Sequence, residues 1–247
     1  MDDDTARLLE RFVTSAGQAV PLVAVWAHGS LALGDYQPGR SDLDLLAVVP
    51  TAVTSAQRAH LQAAHEALIR DAPLAAHLHC SYLAQDDLTD PAAGHVTWAH
   101  EELFARPVSP VTRRELAQGA LVLHGPGPDG LVPPVSDGTL TAYIREDLRS
   151  FWFPATASHR VWREDIWVDL GLLTPARAAV TLAEGRLITK QEALAVLPAL
   201  GAPVAVVADI QQRRYAHPSP ISARWRTRRG LLAQHWARDA IQHILAS

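Results

Sequence analysis

The sequence predicts an α/β domain with a mixed sheet, followed by an α-helical bundle domain. Short apolar runs alternate with helical patterns over the first half of the chain, which is typical of a compact α/β unit. Glycine and proline then concentrate in the loop at residues 124–138, and few strand signals follow that loop. We therefore assign residues 1–130 to the first domain and residues 138–247 to the second. With 247 residues, 48% of them apolar, the chain can bury two cores.

The first domain shows the order helix, strand, strand, helix, strand. Apolar residues at helical spacing indicate the helices, and short apolar runs that stop at Gly29 and Pro50 indicate the first two strands. The predicted elements are a helix at 5–18, strands at 22–27 and 43–49, a helix at 55–70 and a strand at 74–83. Such an order favours a compact domain built on a mixed sheet.

The second domain is dominated by helical patterns. They cover residues 139–153, 166–184, 190–200 and 223–245. Residues 204–207 are strand-like, although a helix could equally contain them. The pattern therefore predicts a helical bundle.

Composition and charge exclude several classes of protein. A net charge of -4 gives no overall basic field for a polynucleotide, so we expect no nucleic-acid partner, and the basic run at 224–229 is interpreted as a solvated helix face. Cys80 is the only cysteine, which excludes an intramolecular disulfide. No apolar run approaches the length of a signal sequence or membrane span. We expect a soluble, cytoplasmic protein without a membrane partner, and a monomer.

Gly29 and Ser30 follow the first apolar run and are candidates for binding a nucleotide phosphate. Because Gly29 has no side chain, backbone N–H groups and the Ser30 hydroxyl can approach an anion closely. A Gly-Ser pair alone is an ordinary turn. Its occurrence shortly before a pair of acids is what indicates a site.

Asp42 and Asp44 open the second apolar run and are the candidate metal ligands. Alternate residues of a strand point to the same face, with Cα atoms roughly 7 Å apart, so the two carboxylates converge. Carboxylates together with substrate phosphates are what Mg²⁺ prefers, and two such ions can clamp both oxygens of a phosphoryl transfer. An isolated Asp-x-Asp is more often a solvated loop, and the combination with Gly29-Ser30 favours function.

Gly29-Ser30, Gly34-Asp35 and the run at 40–46 together resemble the minimal nucleotidyltransferase domain of the DNA polymerase β-like superfamily. Within it, the chain is most similar to the streptomycin and spectinomycin adenylyltransferases, and the similarity continues to residues 85–88 and reappears in the second half. The resemblance implies a nucleotidyltransferase domain at 1–130 and a helical domain at 138–247 that closes over nucleotide and acceptor. It also implies ATP as donor and two Mg²⁺ ions as cofactor.

His79 marks a departure from this family. The family places a third carboxylate on the strand after the second helix, where it binds metal and acts as base, and the matching position here is His79. An imidazole can accept a proton near neutral pH, although it suits Mg²⁺ poorly as a ligand. His79 is therefore a candidate catalytic base beside Asp42 and Asp44. Alternatively, His79 marks a site that has lost its activity, or Glu101 or Glu102 reaches the site instead.

Arg177 and Lys190 are the predicted triphosphate ligands of the second domain. The resemblance implies an arginine and a lysine thirteen residues apart, and these two residues have that spacing. Lys190 is also the only lysine in the chain, and it lies at a predicted helix start, where a cation is unfavourable without an anion nearby. The alternative is ordinary surface charge.

The acceptor site is the least defined part of the prediction. The family grips a cationic drug with an aromatic platform and nearby acids, for which Trp152, Asp165 and Asp169 are the closest counterparts. Tryptophans in this region are also explained as packing residues.

Taken together, the residues favour a metal-dependent enzyme that transfers AMP from ATP to a hydroxyl of a small, cationic molecule. Two alternatives stay open. One is a catalytically degenerate protein that binds nucleotide for regulation, and the other is a protein AMP-transferase of the toxin–antitoxin kind. The extended helical second domain favours a small-molecule acceptor.

Overall fold

The computed structural model describes residues 1–217 and 220–247, and it confirms the predicted fold class. The chain divides into two compact units, Met1–Val135 and Ser136–Ser247. The first unit is α/β and the second is helical.

A six-stranded mixed sheet forms the centre of the first unit. Its strands are β1 (Ala24–Ala27), β2 (Leu43–Val49), β3 (Leu78–Ala84), β4 (His95–Ala99), β5 (Glu102–Arg106) and β6 (Leu121–His124). Its helices are α1 (Asp3–Ala19), α2 (Gly29–Ala32), α3 (Ser55–Asp71) and α4 (Pro110–Gln118). The strand order is β5-β4-β3-β2-β1-β6, in which β2 and β3 are parallel and the other neighbours antiparallel.

Local signals set the ends of these helices. The Asp2 carboxylate accepts a hydrogen bond from the Thr5 N–H at the start of α1, and Thr54 with Gln57 forms a capping box on α3. Pro73 begins a 3₁₀ turn that runs to His77. The third strand therefore begins at Leu78, later than the predicted residue 74.

Strand alternation divides the sheet into two buried faces. Leu45 packs with α1 and α3 in one core, whereas Leu46 packs with Trp26 and with Leu116 of α4 in another. Asp44 shares the face of Leu46 by the same alternation. Asp44 therefore lies on the same face of the sheet as α4, at the end of β2 that stays accessible to solvent.

The second unit is a bundle of helices. They are α5 (Asp137–Asp147), α6 (Phe153–Ala155), α7 (Asp165–Glu184), α8 (Lys190–Val196), α9 (Val204–Tyr215) and α10 (Ala223–Ala246), and a π-helical turn at Leu148–Trp152 links α5 to α6. The strand-like residues 204–207 lie in α9. Gly171 and Gly230 leave room for Trp162, because a Cβ at either position would come within 2.2 Å of that tryptophan.

Helix α7 has the length and composition of a membrane span, with half of its most apolar stretch buried inside the unit. The expectation that no apolar run approaches that length therefore does not hold for this helix. Val168, Leu172 and Ala176 are fully buried in the bundle core, which accounts for the apolar composition.

Candidate active site

Gly29 lies at the turn that follows β1, beside the candidate metal ligand Asp44. Its φ of +61° is a left-handed conformation that glycine adopts without steric cost. A Cβ at this position would lie 3.2 Å from Oδ2 of Asp44, so the absent side chain also keeps the space beside that carboxylate open. The turn continues into α2, and the Asp35 N–H donates to the Ser30 carbonyl at 2.9 Å. The binding of a phosphate by Gly29 and Ser30 stays a prediction.

Asp42 and Asp44 lie at the start of β2 and retain access to solvent. Asp42 precedes the first residue of the strand and Asp44 is its second residue; their side chains are 51% and 35% exposed. The buried Ser41 fixes the chain just before them, because its Oγ accepts from the Gln37 N–H and its own N–H donates to the Gln37 carbonyl. Two solvent-accessible carboxylates therefore lie two residues apart at the start of β2, and their role as metal ligands stays a prediction.

His79 lies directly beside Asp44. The parallel register of β2 and β3 pairs the two residues, and His79 Nδ1 is 3.5 Å from Asp44 Oδ1. That distance is well inside the roughly 8 Å beyond which a base role would be out of reach even through one water. His77 Nδ1 lies 3.8 Å from Asp42 Oδ1, although His77 belongs to the 3₁₀ turn and not to the strand. The role of His79 as base stays a prediction.

The turn between β4 and β5 adds a second histidine to this end of the sheet. The His100 ring packs edge-on against the His79 ring, with 5.0 Å between centroids. His100 and Glu101 adopt left-handed backbone conformations, with φ of 54° and 62°. Both residues and the neighbouring Glu102 are exposed. The two glutamates remain open alternatives, and sequence reasoning missed His100 because it assigned no strands to 95–106.

A buried pair, His28 and Glu115, lies next to Asp44 and was also missed. His28 Nδ1 is 2.8 Å from Glu115 Oε2, and both side chains are only about a tenth exposed. Burial by itself lowers the pKa of His28, but the hydrogen bond to Glu115 and the charge of Asp44 outweigh it and raise that pKa above its ordinary value. No motif predicts this pair, because Glu115 comes from a helix far along the chain.

The donor set suits a metal ion that completes its coordination with substrate. Within residues 1–217 and 220–247, no group of three or more His, Cys, Asp or Glu side chains is arranged to hold a metal by itself. Two carboxylates on one accessible face nevertheless fit Mg²⁺, which commonly takes one or two carboxylates plus phosphate oxygens. Asp42 and Asp44 are the residues that would hold it.

Arg177 and Lys190 lie on consecutive helices of the second unit, α7 and α8. Arg177 is in α7, and its Nε donates to the Ile188 carbonyl at 2.8 Å, two residues before Lys190. Lys190 is the first residue of α8, directly after the N-cap Thr189. Both cations are half-buried. The structure thus brings the α7 arginine to the segment that carries the lysine, and their binding of a triphosphate stays a prediction.

The predicted acceptor residues have structural partners of their own. Trp152 packs against Phe151 and Trp167 in an aromatic cluster. Asp169 forms a 2.6 Å ion pair with Arg213, and burial raises the pKa of Asp169 despite that arginine.

Asp165 pairs with the fully buried Arg229, which also binds Asp209 at 2.6 Å. These contacts place both predicted acids in one ion-pair network, in which Asp169 is buried and Asp165 is exposed at its edge. A role in binding an acceptor stays a prediction for Trp152, Asp165 and Asp169.

Comparison with known proteins agrees with this geometry. Residues 9–88, which contain the whole Gly29 to Asp44 segment and His79, match the family model described as nucleotidyltransferase domain. The chain therefore carries a nucleotidyltransferase domain. No curated protein matches the chain in a search by sequence.

Among solved structures, the chain is similar to spectinomycin adenyltransferase AAD(9) from Enterococcus faecialis, which was crystallised with ATP and spectinomycin. The TM-score is 0.70 at 13% sequence identity, over 96% of this chain and 99% of that one. At this identity the similarity concerns the fold. The family match thus supports the nucleotidyltransferase domain that the motif predicted, and the structural similarity supports its fold.

Proposed function

We propose that this protein transfers AMP from ATP to a hydroxyl group of a small, cationic, aminoglycoside-like molecule, in a Mg²⁺-dependent reaction. The observation that carries the proposal is the convergence of Gly29, Asp44 and His79 at one end of the sheet, with Asp42 beside them. The nucleotidyltransferase family model spans all four residues. The similar structure, which contains ATP and spectinomycin, supports this donor and this class of acceptor.

Each residue has a defined task in the proposed reaction. The Gly29-Ser30 turn binds a phosphate through backbone N–H groups and the Ser30 hydroxyl. Asp42 and Asp44 hold Mg²⁺, which supplies charge neutralisation and orientation of the phosphates. His79, oriented by its contact with Asp44, accepts the proton of the acceptor hydroxyl.

The bond changes are those of a phosphoryl transfer. The acceptor oxygen forms a bond to the α-phosphorus, and the bond from that phosphorus to the bridging oxygen of the β-phosphate breaks. Pyrophosphate leaves with the electron pair, and the hydroxyl proton passes to His79 Nδ1 or Nε2. Positioning and electrostatics supply most of the rate in such reactions, so no covalent intermediate with the protein is needed.

The second candidate function is nucleotide binding without turnover. It is favoured by one observation, the imidazole of His79 in register with Asp44, where the resemblance implies a carboxylate. The Gly29-Ser30 turn and both aspartates would then serve only to bind nucleotide. Transfer of AMP to a protein is the remaining alternative, and the large helical unit favours a small acceptor over it.

A pyrophosphate-release screen tests the proposal. Each nucleoside triphosphate is offered with Mg²⁺ and a panel of aminocyclitols, and we expect release with ATP and at least one acceptor. Asp42→Asn and Asp44→Asn each remove a charge and little volume, so both should fold normally and lose Mg²⁺-dependent nucleotide binding and release. Asp86→Asn changes an exposed carboxylate just past the other end of β3 and should behave as wild type. Wild-type activity in either site variant would refute the assignment.

A further inference from the structure

Glu115 and His28 are two buried, ionisable residues to which the proposed reaction gives no task. Their 2.8 Å hydrogen bond joins α4 to the residue that follows β1. Burying an ionised carboxylate costs free energy unless it is paired, so a fold gains little stability from such a pair alone. The role of the pair is therefore better inferred from its position than from its contribution to stability.

The His28–Glu115 pair lies against both the Gly29-Ser30 turn and Asp44. The His28 N–H donates to the Asp44 carbonyl at 3.0 Å, and His28 directly precedes Gly29. Oε2 of Glu115 and Oδ2 of Asp44 lie 3.8 Å and 3.2 Å from the point where a Cβ of Gly29 would be. The residue that Glu115 binds is therefore joined both to the strand that carries Asp44 and to the turn that begins at Gly29.

Helix α4 is held on the sheet by contacts other than the His28–Glu115 hydrogen bond. Ser109 caps its N-terminus, and Leu116 is buried against the sheet. The Arg113 guanidinium donates to the Leu88 carbonyl at 2.6 Å. These contacts hold the helix in place, so the Glu115 carboxylate is not needed to attach it.

We propose that Glu115, acting through His28, is a positioning residue that fixes the Gly29-Ser30 turn against Asp44 for binding of metal-bound triphosphate. The inference rests on the proposed function for the identity of the ligand. Hydrogen-bond partners that orient a binding group commonly change affinity by about 10 to 100-fold when they are removed. Glu115 is thus expected to control nucleotide affinity without touching the nucleotide.

Three variants of α4 separate positioning from packing. Glu115→Ala removes the partner of His28, Glu115→Gln keeps an oxygen that can accept the same hydrogen bond, and Leu116→Ala removes core packing on the same helix. Calorimetry measures the dissociation constant of Mg²⁺-ATP, and amide hydrogen exchange measures the order of residues 28–33. Thermal unfolding reports stability for each variant.

We expect Glu115→Ala to weaken Mg²⁺-ATP binding by about tenfold or more and to speed exchange in residues 28–33. Glu115→Gln should restore both to within about threefold of wild type. Leu116→Ala should lower the melting temperature by more than Glu115→Ala, as loss of a buried leucine side chain does, yet leave nucleotide affinity nearly unchanged. Should Glu115→Ala fail to fold, His28→Phe fills the ring volume without the hydrogen bond and is expected to show the same losses.

Two results would overturn the inference. One is unchanged exchange at residues 28–33 in folded Glu115→Ala or His28→Phe. The other is a loss of affinity in Leu116→Ala as large as that in Glu115→Ala. If wild type itself binds no Mg²⁺-ATP, the proposed function fails, while the exchange comparison still decides whether Glu115 positions the turn.

Discussion

Replacement of Gly29 by alanine adds a single methyl group and tests whether the Gly29-Ser30 turn binds phosphate. Gly29 has φ +61°, and the added Cβ would lie 3.2 Å from Asp44 Oδ2 and 3.8 Å from Glu115 Oε2. The first distance is shorter than ordinary van der Waals contact, so the Asp44 carboxylate must move by a few tenths of an ångström. The methyl group would also stand where a phosphate approaches the backbone N–H groups.

Two contributions to the effect can be separated. The left-handed conformation costs an L-residue roughly 1–2 kcal/mol, which appears as a loss of unfolding free energy. Displacement of Asp44 and obstruction of the turn should appear as weaker binding of Mg²⁺-ATP. We expect a loss of affinity of at least about tenfold, equivalent to about 1.4 kcal/mol.

Gly39→Ala is the matched control. Gly39 has φ +70°, and a Cβ there would meet nothing within 4 Å. Urea unfolding should therefore show similar destabilisation in Gly39→Ala and Gly29→Ala, whereas calorimetry should show weakened Mg²⁺-ATP binding in Gly29→Ala only. Equal nucleotide affinity in the two variants would refute the assignment of the turn to phosphate binding.

Two further predictions concern Lys190 and His65. Lys190→Ala should weaken Mg²⁺-ATP binding by about tenfold or more in calorimetry, with little change in melting temperature. Arg186→Ala removes an exposed cation nearby and should change neither quantity. An unchanged dissociation constant for Lys190→Ala would show that Lys190 does not bind the triphosphate. Burial lowers the pKa of His65 from 6.5 to about 3. Between these pH values the unfolded chain binds a proton that the folded chain does not, so the free energy of unfolding should fall as the pH drops from 6.5 toward 3. The expected loss is about 2 kcal/mol between pH 8 and about pH 5. His65→Phe should reduce this pH dependence in urea unfolding, and an identical slope in that variant would show that His65 is not its source.

The first domain was predictable where local pattern and function coincide. Apolar runs that stop at Gly29 and Pro50 marked β1 and β2, and the acids at the start of β2 marked the site. The register that places His79 beside Asp44 agrees with the position where the family resemblance implies a third, metal-binding carboxylate. These features depend on residues near one another in sequence or on a motif with fixed spacing.

Other features depend on tertiary placement that the sequence does not encode locally. The hairpin at His95–Ala99 and Glu102–Arg106 was missed, since its second strand is short and largely exposed and lacks a clear apolar alternation. The hydrogen bond between His28 and Glu115 depends on how α4 lies on the sheet. His77 was predicted to lie in the strand at 74–83, but it lies in a 3₁₀ turn that begins at Pro73.

The proposed function requires that this site is an active transferase in which His79 takes the position of a carboxylate. The decisive measurement is AMP transfer from labelled ATP to an acceptor, compared among wild type, His79→Ala and His79→Glu. We expect wild type to transfer AMP, and His79→Ala to bind Mg²⁺-ATP but lose turnover. A wild type that binds Mg²⁺-ATP without transferring AMP, together with activity gained in His79→Glu, would contradict the claim and identify a degenerate nucleotide-binding site.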